Sequence, residues 1–143
     1  MKKFLSTVLA CSMFAVLSFG QIRKVPAEVT SAFKAEFPGA TAVEWKDNLA
    51  NFEASFKLDN ISYKASFTGK GALKKTEKSM QWQQLPAVVK SSFDKSKYSD
   101  WEKGSVAEVK DHEDGLYYRI FVEKNKIQKK FLRFNTDGKM VDD

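Results

Sequence analysis

His112 is the only histidine in the chain, and it stands in a charged turn, Asp111-His112-Glu113-Asp114-Gly115. Residues of these types can supply a general base or gather a hard cation. With one histidine a multi-histidine metal site is impossible, and any histidine-dependent triad has this candidate alone. The acidic residues lack the spacing and the downstream Glu of an EF-hand calcium loop. No glycine-rich dinucleotide loop, Walker sequence or Gly-x-Ser-x-Gly elbow occurs. The expectation is a solvated turn, in a chain with no enzymatic activity, no metal and no cofactor.

A second group of residues has the chemistry of contact. Tyr117, Arg119, Phe121 and Glu123 alternate with Leu116, Tyr118, Ile120 and Val122, and Phe131 and Arg133 alternate with Leu132 and Phe134. If Leu116, Tyr118, Ile120, Val122, Leu132 and Phe134 face a core, then Tyr117, Arg119, Phe121, Phe131 and Arg133 project from the other face. Pairing Leu116 with Phe134 would set Tyr117 beside Arg133, Arg119 beside Phe131 and Phe121 beside Lys129. A four-residue loop would instead pair Val122 with Ile127 and turn Phe131 inward, and both registers stay open. Aromatic residues interleaved with cations have the composition of protein-interface hot spots. The competing expectation is that the linker around Trp82 or the Trp101 segment covers these aromatics. The Lys-rich run from Lys124 to Lys130 suits a protected hairpin tip. The sequon Asn60-Ile61-Ser62 reads as part of a tight turn, because Asn tolerates positive φ.

The elements that must position these residues are written twice. Val25-Pro26-Ala27-Glu28-Val29-Thr30-Ser31-Ala32-Phe33 reappears sixty residues later as Leu85-Pro86-Ala87-Val88-Val89-Lys90-Ser91-Ser92-Phe93. Each copy opens a helix, since Pro suits a first turn that needs no N–H from it. Val29, Phe33 and Phe37 form one apolar stripe at helical spacing, as do Val89 and Phe93, and Pro38-Gly39 stops the first helix. Period-two patterns follow: 41–46, 51–58, 61–68 and a weaker run from about 72 to 77. Asp59-Asn60 makes a two-residue hairpin that pairs Leu58 with Ile61, Phe56 with Tyr63, Ala54 with Ala65 and Phe52 with Phe67. The second copy repeats the order at 105–110, 116–122, 128–134 and 139–141. The predicted class is α+β: two tandem repeats of a helix and four antiparallel strands, joined into one continuous sheet with both helices on one face. Trp45 falls on the core parity.

The chain's beginning speaks to its compartment. Met1-Lys2-Lys3 is basic, Phe4 to Phe19 is nearly unbroken apolar or small, and Ser18-Phe19-Gly20 has small residues where a signal peptidase reads. That apolar run falls short of the roughly 20 residues a membrane span needs, and no second one follows. Cys11 lies in the middle of the run, without the polar tether that follows a lipidated Cys, so cleavage after Gly20 is expected instead. Cleavage there removes the only Cys and lowers the net charge from +6 to +4. Asp and Glu interleave with Lys throughout, which suits solubility better than nucleic-acid binding. The 43% hydrophobic content and 13% aromatics exclude a disordered chain and suffice for a real core.

Taken together, the repeated hydrophobic-Pro helix starts, the Val-x3-Phe stripes, the four strands after each, the Asp137-Gly138-Lys139 ending and the export signal resemble the PepSY-like family of β-lactamase-inhibitor-like periplasmic proteins. The resemblance covers about residues 22 to 143. It implies a non-enzymatic, exported binding protein; β-lactamase inhibitory protein, of similar fold, covers its target enzyme with the helix-free face of its sheet. No segment of this chain matches that inhibitor's contact residues one by one. The expected organisation is a signal peptide at 1–20, a first repeat at 21–77, a linker at 78–84 and a second repeat at 85–143. The expected partner is an envelope or secreted protein, a hydrolase among the candidates, bound through Tyr117, Phe121 and Phe131 as anchors, with Arg119 and Arg133 orienting it. A periplasmic carrier of a small ligand or cation is the alternative.

Overall fold

A computed structural model describes residues 23–141; the signal-peptide and Cys11 readings fall outside them. Helix α1 (Ala27–Glu36) precedes strands β1 (Thr41–Asp47), β2 (Asn51–Leu58), β3 (Ile61–Thr68) and β4 (Leu73–Met80). Helix α2 (Ala87–Asp94) precedes β5 (Glu102–Asp111), β6 (Gly115–Glu123), β7 (Lys129–Asn135) and β8 (Met140–Val141). The eight strands form one antiparallel, open sheet in chain order from β1 to β8. The duplicated α+β plan expected above is the observed one.

The alternation of apolar and polar residues explains how the helices dock. Pro26 and Pro86 immediately precede the two helices, whose Val29 and Phe33, and Val89 and Phe93, are buried. The first pair packs on Phe52, Ala54, Phe56, Ala65 and Phe67; the second on Val106, Tyr118, Ile120, Val122, Leu132 and Phe134. Register carries one face across the sheet, from Tyr63 through Lys78 and Glu108 to Tyr118, so both helices cover the same side. Trp45 meets Phe33 edge to face, 5.3 Å between centroids, as its core parity suggested. Trp82 does the same with Phe93 at 5.1 Å, and Trp101 with Tyr98 at 5.1 Å. Trp82 and Trp101 thus pack on the helix side and not over the aromatics of the other face.

The end of the fourth strand differs from expectation for a reason that lies across the sheet. The fourth strand continues past 77 to Met80, because Lys78, Ser79 and Met80 pair with Glu108, Ala107 and Val106 across the junction of the repeats. Backbone pairing needs no apolar side chain, so a Lys- and Ser-rich segment serves as well as an apolar one. A 3₁₀ turn at Trp82–Gln84 then leads into α2. Arg23 fastens the chain before α1: its guanidinium grips the Asp47 carboxylate and the Leu49 carbonyl and lies over the Phe52 ring. Asp47's pKa is lowered, chiefly by its hydrogen bond from Arg23.

Candidate interaction face

Strands β6 and β7 pair Tyr117 with Asn135, Arg119 with Arg133 and Phe121 with Phe131. This register differs by two residues from the expected pairing of Leu116 with Phe134; Phe134 pairs with Tyr118 instead. The loop is responsible. The Asn125 side-chain oxygen accepts hydrogen bonds from the N–H groups of Ile127 and Gln128, and Lys124 N–H donates to the Gln128 carbonyl at 2.9 Å. That closes the hairpin over Lys124–Gln128. A shift of two keeps every side chain on its own face, so all five expected residues lie on the helix-free side.

Their arrangement is an alternating stack. The Arg133 guanidinium carbon lies 4.0 Å from the Tyr117 ring centre, and that of Arg119 lies 4.8 Å from Phe131. Phe121 and Phe131 touch at 5.0 Å between centroids. Gly104 on β5 makes room for this, since a Cβ there would meet the Phe121 ring at 2.7 Å. Phe131 is 45% exposed, whereas Tyr117 is only 6% exposed. The expectation of Tyr117 as a contact anchor is corrected accordingly: it sits on the expected face but beneath Arg133, and it supports the surface. Burial pushes its phenol pKa up, more than the neighbouring Arg133 lowers it.

Both arginines have carboxylate partners. Arg119 donates two hydrogen bonds to Glu77, the longer at 2.9 Å, and Arg133 donates to Asp114 at 2.9 Å. Glu77 and Val109 are site residues that sequence reasoning missed. Val109 is fully buried and pairs with both Glu77 and Tyr117, so it floors the helix-free side. Its signal was present: Val106 and Val109 have opposite parities on one strand, which means that strand is covered on both faces. Arg119–Glu77 also ties the second repeat to the first. With side chains 27% and 12% exposed, the pair should show a coupling of about 1–2 kcal/mol in an Arg119→Met/Glu77→Gln double-mutant cycle. Urea denaturation of the four proteins measures it; a coupling near zero would refute this account.

Beside the stack the sheet holds a recess of about 490 Å³, bordered by Lys57, Ser62, Ser79, Ser105, Arg119 and Phe131. Small residues, Ser55, Ser62, Ser79 and Ser105, make up much of its lining, where Lys57, Lys64 and Arg119 stand beside Glu44 and Glu77. The His112 turn is built for a different purpose. Asp111 accepts hydrogen bonds from the N–H groups of Glu113 and Asp114 at 2.8 and 3.3 Å, and His112 is exposed. Burial opposes ionisation of Asp111, but those N–H groups, with Lys75 and Arg133, leave its pKa lowered. Among the described residues no group of three or more His, Cys, Asp or Glu could hold a metal ion, and no helix is long and apolar enough to cross a membrane.

No known protein family's sequence profile matches the chain, and no curated protein matches it significantly. Solved structures do resemble it. A protein from Bacteroides eggerthii, provisionally described as periplasmic, is 24% identical with a TM-score of 0.77, over 84% of this chain and 88% of that one. A BLIP-like protein from Bacteroides fragilis is 22% identical with a TM-score of 0.75, over 85% and 86%. A DUF2874 family protein from Bacteroides uniformis is 22% identical with a TM-score of 0.77, over 83% and 88%. At these identities the likeness is one of fold.

Proposed function

We propose that the chain is an exported, non-enzymatic binding protein of the PepSY-like, β-lactamase-inhibitor-like kind. It covers part of a protein partner, a hydrolase being one candidate, with the helix-free face of its sheet. The observation that carries this reading is the half-exposed Phe131, backed by Phe121 and held against Arg119 on a rigid sheet. Such a residue contacts a partner without paying much side-chain entropy on binding, which favours a hot spot. Arg119 and Arg133, fixed by Glu77 and Asp114, orient the partner, and Tyr117 holds Arg133 in place. Export rests on the signal-like first twenty residues and agrees with the description of the Bacteroides eggerthii neighbour as periplasmic. The BLIP-like description of a second neighbour agrees with the resemblance drawn from the repeats.

The test is affinity capture from an envelope extract of the source cells, with residues 21–143 as bait beside a Phe121→Ser/Phe131→Ser variant whose fold is verified by circular dichroism. Each hot-spot aromatic is worth about 2 kcal/mol or more, roughly 30-fold in affinity. A protein retained by the wild type and lost by the variant is the expected result. Equal retention by both baits, or no specific protein on either, would overturn the reading.

A further inference from the structure

We propose that the free edge of β1 joins a second copy of this chain, strand to antiparallel strand, in a two-fold dimer centred on Trp45. The sheet ends in two edges. β8 has only two residues, whereas β1 runs for seven, Thr41–Asp47. An open edge strand carries unpaired N–H and C=O groups, and the neighbouring turn decides which residues carry them. Asn48 N–H donates to the Asn51 carbonyl at 2.9 Å. Hydrogen-bonded pairs alternate from there, so Lys46–Glu53 and Glu44–Ser55 bond between β1 and β2. Trp45 and Asp47 therefore turn their backbone groups outward, and no other described group takes them up. The helix side of this edge is also open. A groove of about 570 Å³ there has Phe33, Phe37, Pro38, Val43 and Trp45 in its lining, and Val43 is 37% exposed.

Charge fixes the occupant and its register. Glu44 and Lys46 are both exposed and lie on the helix-free side, opposite to Trp45. Among the described residues neither takes part in an ion pair. Across from Glu44 is Ser55; across from Lys46 is Glu53, which pairs with Lys64. When two β1 strands meet antiparallel through their outward groups, the two-fold axis passes through one residue. Centred on Trp45, it sets each Glu44 directly opposite Lys46 of the other copy, and the two Trp45 backbones bond to each other. Centred on Lys46 it sets lysine against lysine, on Glu44 glutamate against glutamate, on Asp47 aspartate against aspartate. Centred on Val43 it runs into the irregular start of the strand. Opposite charges stabilise such cross-strand pairs and like charges oppose them, so β1 is complementary to itself in one register. Bulges and lysines commonly protect edge strands. Here the register shift lies between Thr41 and Glu44, ahead of the regular stretch from Glu44 to Asp47, and Lys46 gains a carboxylate partner. Asp47, which comes to face Val43 of the second copy, already has its charge held by Arg23. On the helix side the two indoles come side by side over the open grooves. On the helix-free side Glu44 lines the recess beside Arg119 and Phe131, so Lys46 of the second copy reaches its rim.

The experiment is sedimentation equilibrium on residues 21–143 from about 1 µM to about 1 mM. Reversible, concentration-dependent association that stops at two chains is expected. Glu44→Lys and Lys46→Glu each place like charges opposite one another twice, and each should weaken the dimer roughly tenfold or more. Mixing the two single variants should restore association, because each offers the other its opposite charges. The Glu44→Lys/Lys46→Glu double variant should associate as the wild type does. Both side chains are exposed, and circular dichroism verifies each fold. The Phe121→Ser/Phe131→Ser variant should dimerise as the wild type does, which separates this edge from the proposed interaction face. A chain that stays monomeric to millimolar concentration, open-ended assembly beyond two chains, single variants that dimerise as the wild type does, or a mixture that associates no better than either variant alone would each overturn the proposal.

Discussion

Replacing Gly138 by Ala is expected to destabilise the protein by about 2–5 kcal/mol, and Gly71→Ala by a similar amount. The two glycines hold the same place in the two repeats. Each ends the turn before the last strand of its repeat, with φ of +85° at Gly71 and +80° at Gly138. The turns are built alike: Ala72 N–H donates to the Thr68 hydroxyl at 3.1 Å, and Lys139 N–H to the Asn135 side-chain oxygen at 2.8 Å. Each turn presses on the start of its helix. A Cβ on Gly71 would stand 2.7 Å from the Glu28 carbonyl oxygen, and one on Gly138 would stand 2.7 Å from a Val88 methyl and 2.9 Å from its carbonyl oxygen. Backbone cannot swing aside as a side chain can, so the helix must lift from the sheet or the turn must open.

Gly115 is the internal control. Its φ is +75°, but nothing lies within 4 Å of the position a Cβ would take. Gly115→Ala therefore carries only the left-handed backbone cost, about 1–2 kcal/mol. Urea denaturation of the three single variants separates the two effects. Equal losses at Gly115 and Gly138 would show that the helix contacts contribute nothing.

How much of this was legible depended on where the constraint lay. The β2–β3 register followed from Asp59-Asn60, a two-residue turn whose members adopt φ of +50° and +63°, and all four expected pairs occur. Local chemistry and side-chain alternation agreed there, and a one-residue error would have turned every Phe outward. At β6–β7 the sequence settled neither the register nor the face of Phe131, since a pairing of Val122 with Ile127 would have turned it inward; Val122 in fact pairs with Lys130. Loop closure by the Asn125 side chain leaves no mark in a Lys-rich run, and a shift of two is invisible to alternation. Tyr117 illustrates a third limit. Alternation assigned its face, but its burial depends on Arg133 from the neighbouring strand and on Val109 below it. Glu77 was hidden for a related reason, since its meeting with Arg119 requires knowing that β4 and β5 pair across the repeats.

Phe93→Ala is expected to cost about 3–5 kcal/mol, the usual loss for emptying a buried Phe site, and the loss should be felt in both repeats. Phe93 is fully buried in the second core and Phe67 in the first, and the two cores share no residue. What joins them is the β4–β5 ladder, from Lys75↔Asp111 to Met80↔Val106, with the Arg119–Glu77 pair beside it. One repeat alone would be a small domain of marginal burial, and losing β5 would expose the hydrogen-bonding edge of β4. Each repeat therefore depends on its neighbour, and unfolding should be a single transition. Trp45 makes this measurable, because it reports on the first core through its contacts with Phe33 and Phe67. In a Trp82→Phe/Trp101→Phe background, Phe93→Ala should lower the urea midpoint followed by Trp45 fluorescence as far as the midpoint followed by far-ultraviolet circular dichroism. A Trp45 transition that stays in place while the dichroism splits into two steps would mean that the ladder does not couple the cores. The sheet would then be two independent modules sharing an edge, and a partner could bind one without stabilising the other.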